Sequence, residues 1–264
     1  MQLRTMKLYA ATTRRVLPRA SRLGREERLV FVVGSPRSGT TFLAGAIGGL
    51  AGFVDLGEVA PLKGAVPALY GNSEAAARIR TILNRVRRLG FVTGLRAVEQ
   101  TPEVAFVLKD ALRAFPEAKA LHIVRDGRDA VCSLLERGWL AADRSGADDA
   151  RLPYGARARF WVEPERMEEF EHASEATRAA WAWRRYVSSA RSVDERVLEI
   201  RYEALAGSHD AVAAHLGVPD GQVRDVLAAA HTESIARFRE DLTAEQLADV
   251  EREAGPLLRE LGYE

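Results

Sequence analysis

The chain has 264 residues, of which 47% are hydrophobic and 28% charged, and its formal net charge is +1. This composition excludes a disordered chain, a collagen and a coiled coil. The near-zero net charge excludes a protein that binds nucleic acid through a basic surface all round. The length allows one large domain or two small ones. The single cysteine, Cys132, excludes an internal disulfide and a multi-cysteine metal cluster, which favours a reducing compartment.

The first 28 residues form a basic segment with eight Lys and Arg residues against two Glu residues, a local charge of +6. No apolar stretch of the kind found in targeting signals follows these charges, and the chain holds no run of about 20 apolar residues that could span a membrane. We therefore predict a cytoplasmic protein. Peripheral membrane contact through residues 1–28 is the minority alternative.

Buried strands and helices alternate along the rest of the chain. The β-branched and apolar runs at residues 29–33, 120–124 and 197–201 predict buried strands, and residues 53–56 and 91–98 are weaker candidates. Helical spacing predicts helices over residues 40–50, 74–89, 129–137 and 173–192. This alternation predicts an α/β fold with a mainly parallel central sheet flanked by helices on both faces.

Two later regions depart from this alternation. Residues 138–172 mix charges with Pro153, Tyr154 and several other aromatic side chains, which indicates an insertion or lid. Residues 221–264 are helical in pattern, and Thr243 stands where a helix N-cap is expected.

A glycine-rich loop follows the first predicted strand. Residues 34–41 read Gly-Ser-Pro-Arg-Ser-Gly-Thr-Thr, with the two glycines at P-loop spacing but without the P-loop lysine. Backbone N–H groups and the start of the next helix can still hold an anion there, and Arg37 supplies positive charge. We prefer this anion-binding interpretation to a simple glycine-rich turn, and we predict a three-layer P-loop-like fold.

The end of the second strong strand carries arginine where a nucleotide hydrolase would need a metal ligand. The sequence there is Val124-Arg125-Asp126, followed by Gly127-Arg128-Asp129. Hydrolysis of a nucleoside triphosphate requires Mg²⁺ held by an aspartate at such a strand end. The sequence therefore predicts a site that neutralises its anion with arginine and requires no metal.

These motifs together resemble those of sulfotransferases that use 3′-phosphoadenosine 5′-phosphosulfate (PAPS), in the branch that includes bacterial enzymes and the tyrosylprotein sulfotransferases. The loop Pro36-Arg-Ser-Gly-Thr-Thr41 is similar to the family's 5′-phosphosulfate loop, and residues 124–133 are similar to its 3′-phosphate segment. Residues 201–205 resemble the family's Y-E-x-L strand end, and residues 254–263 resemble the ending of many bacterial members. The resemblance implies one sulfotransferase-like domain at residues 29–264, with an acceptor-side insertion at residues 138–172.

The resemblance also implies which side chains bind the donor. The 5′-phosphosulfate would be wrapped by Arg37, Ser38, Gly39, Thr40 and Thr41. The 3′-phosphate would be held by Arg125, Ser133 and Arg137, and the last two lie four residues apart, on one face of the predicted helix. Tyr202 would meet the nucleotide. Arg237 would close over the 3′-phosphate, with Arg239 as the alternative.

For catalysis the resemblance implies that Glu58 is the base that takes the acceptor proton, assisted by the positive charge of Arg37. Glu99 and the five histidines are the alternatives, although His122 lies in a predicted buried strand. Many relatives carry a lysine at the position of Gln100. Because an amide cannot neutralise a leaving phosphate, Arg37 or another cation such as Lys109 would have to take over this role.

We therefore predict a metal-independent sulfotransferase that transfers a sulfuryl group from PAPS by in-line displacement to a hydroxyl of a carbohydrate, a phenol or another small acceptor. A non-catalytic module that binds PAPS or its product 3′-phosphoadenosine 5′-phosphate (PAP) is the alternative, motivated by Gln100, and a P-loop kinase is a weaker one. No nucleic-acid partner is expected. The sequence leaves the acceptor and the oligomeric state open.

Overall fold

The computed structural model describes residues 24–193, 196–230 and 233–263. Most of the predicted basic segment, residues 1–23, lies outside the described residues, and so does His231.

The centre of the fold is a sheet of five parallel strands in the order β2-β3-β1-β4-β5. The strands are β1 Val30–Val33, β2 Phe53–Gly57, β3 Arg96–Glu99, β4 Lys119–Val124 and β5 Val197–Arg201. β1 lies in the middle and is fully buried, as its run of β-branched and aromatic residues predicts. The predicted α/β fold with a parallel central sheet is confirmed.

Helices connect the strands and cover both faces of the sheet. The α-helices are α1 Thr40–Gly48, α2 Ala60–Lys63, α3 Val66–Leu69, α4 Ala75–Leu89, α5 Leu108–Ala114, α6 Gly127–Arg137, α7 Met167–His172, α8 Glu175–Arg191, α9 His209–Leu216, α10 Asp220–Leu227, α11 Phe238–Asp241 and α12 Ala244–Glu260. Short 3-10 helices lie at Pro102–Val107, Pro164–Arg166 and Tyr202–Ser208. None of the helices in the described ranges combines the length and the apolar character that crossing a bilayer demands.

Alternation along the strands divides the core into two layers. Phe31 and Val33 of β1 contribute to the larger apolar cluster, which also holds side chains of α4, α5, α6, α8 and α12. Val30 and Val32 point to the opposite face, where they meet side chains of α1, α9 and α10. Because side chains alternate across a strand, the sheet contributes to an apolar cluster on each of its faces. Helices, sheet and helices therefore form three layers.

Two predicted boundaries are corrected by the structure. The weak strand candidate at residues 91–98 is a strand only from Arg96, because Phe91 takes a left-handed φ of 57° and the backbone turns between residues 92 and 95. The helix predicted over residues 173–192 begins at Glu175, where the Ser174 hydroxyl accepts a hydrogen bond from the Thr177 N–H. The N-cap predicted at Thr243 is confirmed, and it forms a reciprocal capping box with Gln246.

Residues 138–172 contain little regular structure, as their composition predicts. One isolated antiparallel bridge joins Ala147 to Pro153, and regular structure resumes with the 3-10 helix at Pro164.

Parallel pairing also determines where a site can form. The carboxyl ends of all five strands meet at one edge of the sheet, and ligands of open α/β sheets bind at that edge. The glycine-rich loop follows β1 there, Glu58 follows β2, Gln100 follows β3, Arg125 follows β4 and Tyr202 follows β5.

Candidate active site

The glycine-rich loop is built around two left-handed backbone positions. Gly39, with a φ of 92°, precedes α1, and Arg37, with a φ of 71°, occupies a conformation that side-chain-bearing residues rarely adopt. A Cβ atom at Gly39 would come within 2.8 Å of the Tyr202 ring. Glycine is therefore required at this position both for its backbone conformation and for the close approach of Tyr202.

Three arginines gather around this loop. The Arg37 Nε donates a hydrogen bond to the Ser133 Oγ at 2.9 Å, and the Arg125 Nη1 donates to the Arg37 backbone carbonyl at 3.1 Å. Burial lowers the pKa of the Arg37 guanidinium, and the positive charges of Arg137 and Arg125 lower it further. Three like charges repel one another in the free protein, so the arrangement is suited to a ligand with several negative charges.

Tyr202 and Ser234 complete one side of the arginine cluster. The Arg125 guanidinium lies over the Tyr202 ring, 4.8 Å from its centroid, and the Tyr202 and Ser234 hydroxyl oxygens are 3.1 Å apart. Behind the strand end, the Trp183 Nε1 donates to the Arg125 backbone carbonyl at 3.0 Å. Trp183 is fully buried on α8, and this hydrogen bond fixes the backbone that presents Arg125.

The structure does not bring Arg237 into this cluster. Its guanidinium forms ion pairs with Glu136 and Asp241. Arg239, the alternative, is exposed, and its guanidinium lies 5.7 Å from the centroid of the Phe238 ring. Neither side chain contacts the glycine-rich loop in this conformation, so a role at the donor would require Arg237 to exchange its acidic partners for a phosphate.

A cavity of about 410 Å³ opens beside the loop and is bounded in part by side chains of residues 138–172. Its lining residues are Pro36, Arg37, Thr40, Thr41, Glu58, Lys63, Pro67, Pro102, Glu103, Leu134, Trp139, Leu140, Asp148, Arg151, Leu152, Pro153, Tyr154, Ala158, Arg159, Phe160, Trp161, Ala182 and Tyr186. The candidate base Glu58 and the glycine-rich loop therefore share one cavity, and residues 138–172 supply about half of its lining residues.

Lys63 contacts both the candidate base Glu58 and the segment of residues 138–172. Its Nζ donates to the Glu58 Oε2 at 2.8 Å and lies 3.0 Å from the Asp148 Oδ2. Burial alone would lower the pKa of the Lys63 ammonium, but the negative charges of Glu103 and Glu58 and its hydrogen bonds to Glu58 and Asp148 raise that pKa above its usual value. Lys63 is therefore a permanent cation beside Glu58.

Sequence reasoning missed Lys63. The available signal was its rarity, since the chain has four lysines, and its position five residues after Glu58. Lys109, the cation considered from the sequence, lies exposed on α5 and does not line the cavity. Gln100 is buried, and its side-chain oxygen lies 3.5 Å from the Thr41 hydroxyl.

The alternative bases lie outside the cavity. Glu99 is fully buried in β3 and accepts a hydrogen bond from the Thr101 N–H at 3.0 Å. His122 is buried in β4 beside Glu199. His172, on α7, contacts the Glu168 carbonyl. On α9, His209 contacts the Asp220 carboxylate and His215 contacts the Ala120 carbonyl. None of these side chains lines the cavity that holds Glu58.

Glu99 gives a prediction about pH and stability. Burial raises the pKa of Glu99 to about 7 from 4.5, although hydrogen bonds from Thr101 act in the opposite direction. The folded state therefore binds the proton more tightly, and this contribution to stability is present below pH 4.5 and is lost as the pH rises to about 7. Because glutamine mimics the protonated carboxyl, we expect Glu99→Gln to raise the free energy of unfolding at pH 8 by about 3 kcal/mol.

Urea unfolding at pH 4.5 and pH 8 tests this expectation. The gain from Glu99→Gln should shrink toward zero at pH 4.5, and the exposed control Glu117→Gln should leave stability unchanged at both values. A gain of equal size at both pH values would contradict the assignment of a raised pKa to Glu99.

Comparison with known proteins places these observations in a family. No curated protein sequence matches the chain. Among solved structures, the sulfotransferase domain from the curacin biosynthetic pathway superposes with a TM-score of 0.53 at 16% identity, covering 91% of this chain and 99% of that domain. The sulfotransferase domain from the Synechococcus PCC 7002 olefin synthase superposes with a TM-score of 0.51 at 17% identity, covering 88% and 95%. These similarities show the fold.

The family itself is shown by sequence. The pattern of the sulfotransferase family matches residues 69–219, which is more than half of the chain. The matched segment includes Arg125, Ser133 and Tyr202 together with strands β3, β4 and β5. The chain belongs to the sulfotransferase family, whose members catalyse sulfuryl transfer.

Proposed function

We propose that this sulfotransferase transfers a sulfuryl group from PAPS to a hydroxyl of a small acceptor, with Glu58 as the base. The observation that carries the proposal is the shared cavity: Arg37, Thr40 and Thr41 of the glycine-rich loop line it, and so does Glu58. In-line displacement requires this arrangement, because the base must lie on the acceptor side of the group that is transferred.

The donor end fits a nucleotide with phosphates at two positions. Arg125 Nε and Ser38 Oγ are buried without a hydrogen-bond partner. Buried polar atoms of this kind require a partner, and a bound anion would supply one. We assign Arg37, Ser38, Gly39, Thr40 and Thr41 to the 5′-phosphosulfate, Arg125, Ser133 and Arg137 to the 3′-phosphate, and Tyr202 to the nucleotide. Arg237 would bind the 3′-phosphate only after releasing Glu136 and Asp241.

When bound, PAPS would supply an activated sulfuryl group whose leaving group is a phosphate. The residues of this chain would stabilise charge and move one proton. Arg37 would face the negative charge that develops on the leaving oxygen, since its guanidinium reaches both the loop and Ser133. Glu58 would accept the acceptor's hydroxyl proton, and its side chain is 41% exposed and lines the cavity. The arginines would supply the compensating charge without a metal.

Residues 29–264 would form a single catalytic domain in which residues 138–172 are the acceptor-side wall. The insertion is attached to the catalytic side of the cavity through Asp148 and Lys63. This link supports the assignment, because a segment that selected acceptors would have to be fixed relative to the base.

Calorimetric binding of PAP, compared with ATP in the presence and absence of Mg²⁺, tests the donor site. We expect PAP to bind with micromolar affinity without metal, and to bind more tightly than Mg·ATP. Preference for Mg·ATP would favour a nucleoside triphosphate enzyme and overturn the proposal. Binding of PAP without sulfation of any acceptor by labelled PAPS would instead favour the non-catalytic alternative that Gln100 motivates.

Lys63 gives a prediction about turnover. Lys63→Met removes the cation that holds Glu58, so we expect kcat/KM for the acceptor to fall roughly tenfold to a hundredfold while the affinity for PAP stays unchanged. The matched variant Lys109→Met removes an exposed lysine outside the cavity and should have no effect. The reverse pattern, with Lys109→Met impaired and Lys63→Met active, would show that Lys109 supplies the cation.

A further inference from the structure

Helix α4 presents a basic face to solvent. Arg78, Thr81, Arg85 and Arg88 are exposed and recur three or four positions apart, so they share one side of the helix. The helix contains five arginines and no acidic side chain. Within the described part of the chain, Arg78, Arg85 and Arg88 form no ion pair. This face of α4 therefore carries positive charge that the protein does not compensate.

The carboxyl end of α4 adds an apolar tip, formed by Leu89 and Phe91. Leu89 is 43% exposed and Phe91 is 69% exposed, the largest exposed fraction among the large apolar side chains of the described residues. The Phe91 N–H donates to the Arg88 carbonyl at 3.1 Å, and the Val92 N–H donates to the Arg87 carbonyl at 2.9 Å. These bonds form a Schellman motif in which Phe91, with a φ of 57°, occupies the left-handed position that usually carries glycine.

Phenylalanine is an unfavourable choice for this position in the free protein. A left-handed backbone is strained for a residue with a Cβ atom, and an apolar ring left in water gains little from burial. Strained features persist where they serve a function. An exposed aromatic ring beside uncompensated arginines suits a partner that combines an apolar interior with anionic groups at its surface.

The acidic groups nearest this face do not cancel its charge. Glu27 pairs with Arg80 at 3.0 Å, and Glu26 pairs with Arg28 at 2.7 Å. Glu74 precedes the amino end of α4, which is the end away from the apolar tip. A symmetric dimer through this face would bring the same uncompensated arginines of two copies together, so the charge disfavours a second copy as the partner.

The apolar tip lies away from the cavity. Residues 90–95 lead into the amino end of β3, whereas the glycine-rich loop and Glu58 follow the carboxyl ends of their strands. The Glu26 N–H donates to the Thr93 carbonyl at 2.8 Å, so the chain enters the described fold beside the tip. The residues that precede this entry, 1–23, carry six Lys and Arg residues and no Asp or Glu. This basic segment therefore joins the fold at the same edge.

We propose that the exposed face of α4 and its apolar tip bind an anionic lipid surface. Phe91 and Leu89 enter the boundary between headgroups and acyl chains, and the arginines contact the anionic headgroups. Two apolar side chains alone bind a bilayer weakly, but each nearby cation adds to the attraction, so the combination gives reversible binding. Because the tip lies at the opposite edge of the sheet, the cavity of the bound protein stays open to water.

Co-sedimentation of the full chain with lipid vesicles tests this inference. We expect binding to vesicles that contain about 30% phosphatidylglycerol in phosphatidylcholine, little binding to phosphatidylcholine alone, and weaker binding as the salt concentration rises. The affinity for PAP, measured by calorimetry, should be the same with and without the vesicles.

Phe91→Gly separates lipid binding from folding. Glycine suits the left-handed position, so the variant should unfold at a higher urea concentration than the parent protein, while its affinity for the anionic vesicles should fall roughly tenfold. The matched control Met167→Ala changes a 41% exposed apolar side chain on α7 and should leave vesicle binding unchanged.

A second pair of variants tests the charge. Arg85→Ala combined with Arg88→Ala should lower the affinity for the anionic vesicles roughly tenfold to thirtyfold. The matched double variant Arg252→Ala with Arg259→Ala removes the same net charge from α12, where these side chains are 69% and 61% exposed, and should have little effect.

Several results would overturn the inference. The first is an absence of binding to the anionic vesicles, or binding that Phe91→Gly leaves unchanged. Another is a concentration-dependent dimer that Phe91→Gly dissociates and that binds no vesicles, because the tip would then belong to an interface between copies. Competition between vesicles and PAP would show that lipid phosphates enter the glycine-rich loop instead. The proposed function is tested separately, by PAP binding and sulfation, and does not depend on these results.

Discussion

Replacing Arg37 with alanine is expected to weaken PAP binding roughly tenfold to 100-fold without destabilising the free protein. Arg37 is the arginine that lies within the glycine-rich loop, and a charged hydrogen bond to a phosphate contributes roughly 1.5–3 kcal/mol. In the free protein the same guanidinium is buried and repelled by Arg125 and Arg137. Its removal relieves that repulsion, which offsets the loss of the hydrogen bond to Ser133.

Calorimetry with PAP and urea unfolding of the free protein measure these two effects separately. Because Arg37 has a positive φ of 71°, Arg37→Gly should be compared with Arg37→Ala. Glycine removes the same guanidinium but tolerates this backbone conformation, so equal losses of affinity would assign the effect to the charge.

The matched control is Arg85→Ala, which removes an exposed arginine of α4 that does not line the cavity. A drop in the stability of free Arg37→Ala, or an unchanged affinity for PAP, would contradict the role given to Arg37.

The loss of affinity without a loss of stability follows from how the loop is made. Gly39 and Arg37 hold left-handed backbone conformations, and Arg125 and Ser38 each bury a polar atom without a partner. Such features cost stability and persist where a ligand uses them. The free protein therefore holds the proposed anion site in a binding-ready but electrostatically unfavourable state.

The fold could be predicted from the sequence because its signals are local. The apolar run of β1 and the glycine spacing after it predict a strand, a loop and a helix, and those elements lie where they were expected. The structure also brings Arg37 to Ser133 and Arg125, because parallel strands bring their carboxyl ends to one edge.

The rest of the site depends on contacts between distant segments, which periodicity does not encode. The pairing of Lys63 with Asp148 joins residues 85 positions apart through an irregular insertion. Arg237 is a second example. Its position in the sequence did not indicate that it would form ion pairs with Glu136 and Asp241 instead of contacting the loop. Loops and their ion pairs are placed by tertiary packing, so local sequence patterns do not predict them.

Replacing Glu58 with glutamine is expected to lower kcat roughly 1000-fold while leaving the affinity for PAP unchanged. General-base catalysis contributes typically 10²- to 10⁴-fold, and an amide cannot accept the proton. The amide oxygen of the Glu58→Gln variant could still accept the hydrogen bond that Lys63 now donates to Glu58 at 2.8 Å, so the geometry of the cavity should survive. Single-turnover sulfation with labelled PAPS measures the loss, and Glu117→Gln, an exposed change before β4, is the matched control.

A series of hydroxyl acceptors of graded acidity separates a base from a residue that merely maintains the cavity. If Glu58 removes the proton, the loss caused by Glu58→Gln should be largest for the least acidic acceptor and should shrink for an acidic one such as p-nitrophenol, which ionises with little assistance. A structural role would give the same loss across the series. Full activity of Glu58→Gln with every acceptor would remove Glu58 from the mechanism. The search for a base would then turn to Glu103, which also lines the cavity and accepts a hydrogen bond from the Tyr186 hydroxyl.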